Sequence, residues 1–502
     1  MGKFSAFDLV VLILYFVGTL GVGVFFYRKS RSTEGFVAGH HSLPGWLTGL
    51  SIFATYLSSI SFIGIPGKAY ADNWSFFTFS LSLPIAVFIA YHYFVPYYRR
   101  RAESISAYEE LERRFGYWAR LYANLCFLTT QIARMGAVLY LTAVPMQILL
   151  GWDIKAIIFL LGISVTVYTL MGGITAVIWT DAIQSFILIG GALVCTLVML
   201  FSVSGGPAQL LSTALAEGKF SLGSFGPSLR EETFWVVLLF GIVLNLQNFG
   251  IDQNYVQRYK SSKNDREAGK SLLLGGLLYI PVSAMFFLIG SLLFAYYKIK
   301  AAEIPQAIAA KPDYIFPYYI VQTLPAGLRG LLIAAIFAAA MSTVSTSLNS
   351  AATLIMSDFF RRFKADATDR QCLNVLYWAT GFFGLVGILA AFVMSRFGEG
   401  FKTWQTLAGI FSGGMLGLFL LGLLSRRAGN AAGGIATALG ILLILWMTVS
   451  KMFPAFFGRF SYSWNDFLIP VIGTAAILLT GLALSRVKGA NEKAPCPEGQ
   501  GA

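Results

Sequence analysis

The sequence predicts an all-α polytopic membrane protein of about thirteen transmembrane helices, and three observations carry that reading. Of 502 residues, 56% are apolar and only 12% are charged, against about 25% charged in soluble domains. Mean hydropathy is strongly positive, at +0.68. Apolar runs of bilayer-spanning length, about 20 residues each, recur along the whole chain.

Taken in order, the spans fall near 7–27, 45–70, 75–98, 118–150, 154–172, 176–203, 233–256, 268–297, 325–358, 373–395, 403–424, 430–450 and 465–485. The basic residues of the first run follow it rather than precede it, so it reads as a retained helix and not a signal peptide. Two connections, about 204–232 and 298–324, are long enough for short surface helices. A short polar tail follows Arg486. The net charge of +13 does not argue for nucleic acid, because most of the Lys and Arg fall in alternate loops. Among the inside groups are Arg99 to Arg101, Arg258, Lys260, Lys263 and Arg361 to Lys364. That bias places the N-terminus outside and the C-terminus in the cytoplasm. The four cysteines show neither metal-ligand spacing nor a disulfide framework.

Three spans carry too many polar groups for lipid. "SIFATYLSSISFIGIPGKAY", Ser51 to Tyr70, holds Thr55, Tyr56, Ser58, Ser59 and Ser61 at mid-span. A helix can break inside a membrane only where it lines a protein cavity, and transporters use such breaks to offer carbonyls to cations. The carbonyls of Ala54 and Leu57 would face a small cation here. The competing reading is that the hydroxyls bond back to their own helix or join two helices. A second interruption, "VLNLQNFGIDQNYVQRY", carries Asn245, Gln247, Asn248, Gly250 and Asp252. A third, "FAAAMSTVSTSLNS", places Ser342, Ser345 and Asn349 at helical spacing beside Thr343 and Thr346. Neutral oxygens of this kind suit a monovalent ion rather than a divalent one. Two ionisable residues lie inside spans, Asp181 and Arg134, and each calls for a partner. They pair with each other, or Asp181 serves a cation and Arg134 an anionic group that its guanidinium grips bidentately.

The stretches "FATYLSSISF", "IPGKAY", "YTLMGGITAVIWTDAIQ", "QNYVQRY" and "IAAIFAAAMSTVSTSLNS" resemble the sodium/solute symporter family, and within it the bacterial sodium-coupled sialic acid symporters. The resemblance implies an inverted five-helix-repeat core of the kind found in amino-acid/sodium symporters, with broken first and sixth core helices. One extra helix within 1–44 would precede it. The repeats would occupy 45–203 and 233–424 around an external loop at 204–232, two helices would follow at 425–486, and a cytoplasmic tail at 487–502.

Carried over by position, a first Na+ site falls on Ala54, Leu57, Ala339, Ser342 and Thr343, and a second on Asp181, Ser342, Ser345 and Thr346. The substrate positions are Tyr56, Ser58, Ser61, Phe76, Ser80, Arg134, Asn245, Asn248 and Gln405, with Ser58, Ser61 and Arg134 at the carboxylate. Tyr56 replaces a small hydroxyl residue and Ser80 an amide; these positions shape the far end of the substrate, so the resemblance does not fix the exact sugar. Asn248 stands where an aromatic gate is expected, next to Phe249.

These residues imply a sodium-coupled symporter in the bacterial inner membrane, working as a monomer by alternating access. It would import an anionic sugar, sialic acid, with two Na+ ions. The alternative is a symporter of a neutral sugar or polyol with Arg134 structural. No nucleophile–base or metal constellation points to an enzyme, and the interruptions cluster at one depth, which suits a binding site better than a channel.

Overall fold

A computed structural model describes residues 5–100, 104–301, 304–397 and 413–488 of the chain. The long helices are α1 (Ala6–Phe26), α2 (Gly45–Tyr56), α3 (Ser59–Ala71), α4 (Phe77–Arg99), α5 (Tyr117–Leu150), α6 (Ile154–Leu200) and α7 (Phe234–Ile251). They continue with α8 (Gln253–Ser261), α9 (Asp265–Lys300), α10 (Leu328–Leu354), α11 (Asp369–Phe397), α12 (Met415–Leu424), α13 (Asn430–Met452) and α14 (Leu468–Lys488). No strand occurs among the described residues beyond an isolated bridge between Leu43 and Ser262.

Ten described helices are long and apolar enough to cross a bilayer, or eleven with α2 and α3 as one broken span. That is fewer than the thirteen expected, for two reasons. The expected spans 154–172 and 176–203 follow one another without a loop as the 47 residues of α6, about 70 Å of helical contour at 1.5 Å per residue and enough for two crossings. Gly173, at φ 52° and ψ −152°, turns the chain inside that helix. A Cβ at Gly173 would sit 2.8 Å from the Phe36 backbone, so only glycine fits both the dihedrals and the approach. The expected span 403–424 is described only from residue 413, where α12 begins two residues later. Gln405 therefore lies outside the described residues.

At the centre stands α10, buried on all sides over nearly its whole length. It packs on α6, α5, α1 and α11, while α9 packs on α2 and α3. The third polar interruption proves unbroken. Its hydroxyls bond back to carbonyls four residues earlier, Ser347 to Thr343 at 2.9 Å and Thr353 to Asn349 at 2.8 Å, so it stays helical although dense in polar groups. The two long connections form the short helices Gly206–Ala216 and Ile315–Thr323. Two charges read as loop residues are corrected: Arg258 and Lys260 lie on α8 and are buried. Arg258 can sit there because an acidic partner on another helix meets it.

Candidate functional site

The break between α2 and α3 sets the site. Leu57 and Ser58 leave the helix with extended dihedrals, and the two helices meet at a 57° bend. Ser58 then caps α3, its Oγ accepting from the Ser61 N–H at 3.4 Å. The break strips the last carbonyls of α2 of their helical partners, and other helices supply donors. Ser342 Oγ donates to the Ala54 carbonyl at 3.0 Å, and Arg134 Nη2 to the Thr55 carbonyl at 2.9 Å. The second interruption breaks too, at Asp252, which ends α7 and caps α8 through its bond from the Asn254 N–H at 2.8 Å.

Four of the five first-site residues are bonded together. Ser342 Oγ and Thr343 Oγ1 both reach the Ala339 carbonyl at 3.1 Å, and Ser342 also reaches Ala54. Leu57 lies in the break itself, fully buried. The set offers three carbonyls and two hydroxyls with no formal charge, all buried, which fits a weakly held monovalent cation. The hydroxyls now donate to carbonyls; a cation would take the carbonyls and the hydroxyl lone pairs together.

Behind this set lies Asp181, fully buried. It does not pair with Arg134. Its Oδ2 accepts from Arg258 Nη2 at 2.9 Å and from Ser51 Oγ at 2.5 Å. Arg258 also donates to Ser51 Oγ at 2.7 Å, Thr346 Oγ1 at 2.6 Å and the Asn254 carbonyl at 2.7 Å. Thr346 in turn meets Thr55 Oγ1 at 3.1 Å, and Ser345 bonds the Ser342 carbonyl at 3.1 Å. Asp181 Oδ1 has no hydrogen-bond partner among the described residues, and Thr346 is linked to this carboxylate through Arg258. The sequence reading missed Arg258, the largest fully buried side chain of the protein. Its signal was the second break: a residue six positions past Asp252 continues a core helix rather than a loop.

Arg134 is half-buried, and its other neighbours are Tyr255, which it hydrogen-bonds, and Asp252. Across Ser58 and Ser61 the wall is aromatic. Tyr56 stacks on Phe249 at 5.4 Å, meets the edge of Tyr279 at 4.5 Å, and donates its hydroxyl to Asn245 Oδ1. Asn245 Nδ2 continues to Ser82 Oγ at 2.9 Å. The Tyr279 hydroxyl bonds Ser61 and Ser283, and Ser283 meets Ser80 at 2.9 Å. Phe76 stands apart from this relay, stacked on Phe79 at 5.4 Å with Lys68 over its ring. Asn248 is half-buried one residue before Phe249.

Residues 36–443 match the model of the sodium:solute symporter family. The chain belongs to that family. The sodium/sialic acid symporter NanT of Aliivibrio fischeri is 34% identical over 482 residues, 95% of this chain and 93% of the relative. The sodium/sialic acid symporter SiaT of Proteus mirabilis is 33% identical over 483 residues, 95% of this chain and 94% of the relative. A solved structure of a Na+-coupled sialic acid symporter, in a substrate-bound outward-open state with a novel Na+ site, superposes with a TM-score of 0.88 at 31% identity. It covers 97% of this chain and 98% of that one. This sodium:solute symporter is thus a multi-pass membrane transporter with the inverted-repeat fold, sodium is its coupling ion, and it is not an enzyme.

Proposed function

We propose that this symporter imports sialic acid, N-acetylneuraminate, together with two sodium ions. The observation that carries the reading is Arg134, a half-buried guanidinium beside the α2–α3 break with no ion-pair partner within 4 Å among the described residues. Its bond to Thr55 uses one N–H and that to Tyr255 another, which leaves donors for a carboxylate. Two relatives and the solved neighbour that carry sialic acid in their names support the same substrate. Ser58 and Ser61 complete the carboxylate subsite; Tyr56, Ser80, Asn245, Asn248 and Gln405 shape the remainder, with Phe76 at its outer side.

Sodium at Ala54, Leu57, Ala339, Ser342 and Thr343 ties α2 to α10 and holds the outward-facing form. A second sodium sits at Asp181, Ser342, Ser345 and Thr346. Loss of sodium lets the repeats at 45–203 and 233–424 rock against each other, which opens the inward path. The N-terminus lies outside, the tail in the cytoplasm, and one chain suffices.

The test pairs protein and ligand. N-acetylneuraminate should bind wild type in sodium and lose affinity in Arg134→Ala, whereas an analogue with the carboxylate reduced to an alcohol should bind both variants alike. The coupling should reach at least about 1.5 kcal/mol, the lower end for hydrogen bonds to a charged group. The bonds of Arg134 to Thr55 and Tyr255 favour a second reading, a neutral-sugar symporter with Arg134 structural; a coupling near zero selects it.

A further inference from the structure

Helix α1 lies outside the two repeats, yet it touches the cation-bearing helices at two heights. At one end of α10, Asp8 Oδ1 accepts the Gly327 and Gly330 N–H groups at 2.7 and 2.9 Å. One carboxylate of α1 thereby caps the helix that carries Ser342 and Thr343, satisfying donors the helix start leaves free. A Cβ at Gly330 would lie 2.7 Å from Asp8 Cα, so the two backbones are in contact there.

The second contact is deeper. The Tyr15 hydroxyl donates to Met341 Sδ at 3.4 Å and accepts from Gln184 Nε2 at 3.0 Å. Met341 immediately precedes Ser342, and Gln184 lies one turn past Asp181 on α6. The Met341 carbonyl accepts from the Tyr168 hydroxyl of α6 at 3.2 Å. Phe16 meets Phe337 at 5.6 Å, and a Cβ at Gly23 would lie 2.9 Å from Tyr168 Cβ. Tyr15, Gln184, Met341 and Tyr168 are all buried. Gln184 Oε1 has no partner among the described residues, so the Tyr15 hydroxyl is what orients that amide.

We infer that Tyr15 is a positioning residue for the sodium sites: its hydroxyl locks α6 and α10 together directly behind Asp181 and Ser342, which makes the extra helix part of the coupling machinery. A one-oxygen contact between two helices fixes their spacing because a displaced hydroxyl loses both of its bonds at once. This inference rests on the assignment of the sodium ligands proposed above.

Binding of radioactive sodium to the purified protein reads the effect without a substrate. Ser342→Ala tests the ligand assignment itself; if it binds sodium like wild type, that assignment fails whatever Tyr15 does. With binding lost in Ser342→Ala, Tyr15→Phe should weaken sodium binding at least about two- to tenfold, the range of a single lost neutral hydrogen bond, because it removes two. The rise in unfolding midpoint that sodium produces should shrink in step with the lost affinity, which a merely structural contact would leave unchanged. Gln184→Met should weaken sodium binding in the same direction, and the double variant should be no worse than Tyr15→Phe alone, since the Tyr15–Gln184 bond is common to both. If Tyr15→Phe does not fold, Gln184→Met carries the test from the other side of the same hydroxyl. Wild-type sodium affinity in the folded variants, or fully additive losses, overturns the inference.

Discussion

At the scale of single residues, the electrostatics of the core rest on Asp181 and Arg258. Their pair is fully desolvated, at 2.9 Å with both side chains at 0% exposure. Removing one partner of such a pair leaves a buried charge uncompensated, which costs about 3–5 kcal/mol. Asp181→Asn should therefore lower stability by that order in a denaturant or thermal titration, and Asp181→Asn/Arg258→Gln should recover much of the loss. A double variant as unstable as the single would show that the pair's shape, not its charge balance, holds the helices. Asp181 was legible in the sequence because an ionisable residue inside an apolar run stands out. Arg258 was not, because "QRYKSSK" reads as one basic loop until the break at Asp252 shows where the helix resumes. Tyr56 was legible as a departure from its relatives, but its bond to Asn245 joins residues 189 positions apart, which no spacing rule conveys.

Among the elements, the breaks in the first and sixth core helices were legible from polar density at mid-span, and both occur. Density alone does not make a break: at α10, where the spacing reads as helical, equally crowded hydroxyls bond carbonyls of their own helix. The difference is chemical: Ser58 and Asp252 cap a new helix start, whereas Ser347 and Thr353 bond back. The turn at Gly173 falls at the expected boundary between the spans 154–172 and 176–203, although the sequence did not show that the helix resumes at once on its far side. Gly173→Ala forces a side chain into a glycine-only region and against Phe36, a strain of about 1–3 kcal/mol. It should lower the unfolding midpoint, while the same change at Gly190, where a Cβ meets nothing within 4 Å, should not.

The short helix Glu109–Phe115 makes a further element-scale case. Glu112 bonds Arg120 at 2.7 Å and Arg362 at 2.5 Å, and Arg120 reaches Asp358 at 2.8 Å. Burial works against the Glu112 charge, but those two guanidiniums outweigh it and hold the carboxyl below its usual range. A depressed carboxylate stabilises the fold above the unfolded value, about 4.3, and loses that contribution as pH falls through the folded value. Wild type should melt above Glu112→Gln at pH 7, with the gap closing as the titration descends below about pH 4. A gap constant with pH would assign the effect to packing.

For the whole molecule, the decisive quantity is the charge that crosses with each substrate. Sialic acid carries one negative charge, so entry with one sodium is electroneutral and the membrane potential adds nothing. Entry with two sodium ions moves one net positive charge, for which about 100 mV contributes about 2.3 kcal/mol, or roughly fifty-fold more accumulation. The proposed second ion turns on Asp181. The first set is formally neutral, and Asp181 is balanced by Arg258, yet its Oδ1 has no partner among the described residues. The protein's own charges return with the empty carrier, so the net charge moved in each cycle is that of sodium and substrate alone. Reconstituted into liposomes with an interior-negative potassium diffusion potential, wild type should concentrate N-acetylneuraminate more strongly as the potential rises, with a sodium Hill coefficient above one. Asp181→Asn/Arg258→Gln keeps the cluster neutral but removes the free carboxylate oxygen, so its uptake should lose potential dependence and its Hill coefficient fall to about one. Wild-type uptake indifferent to the potential would leave a single coupling ion, and Asp181 would then serve the fold through Arg258 alone.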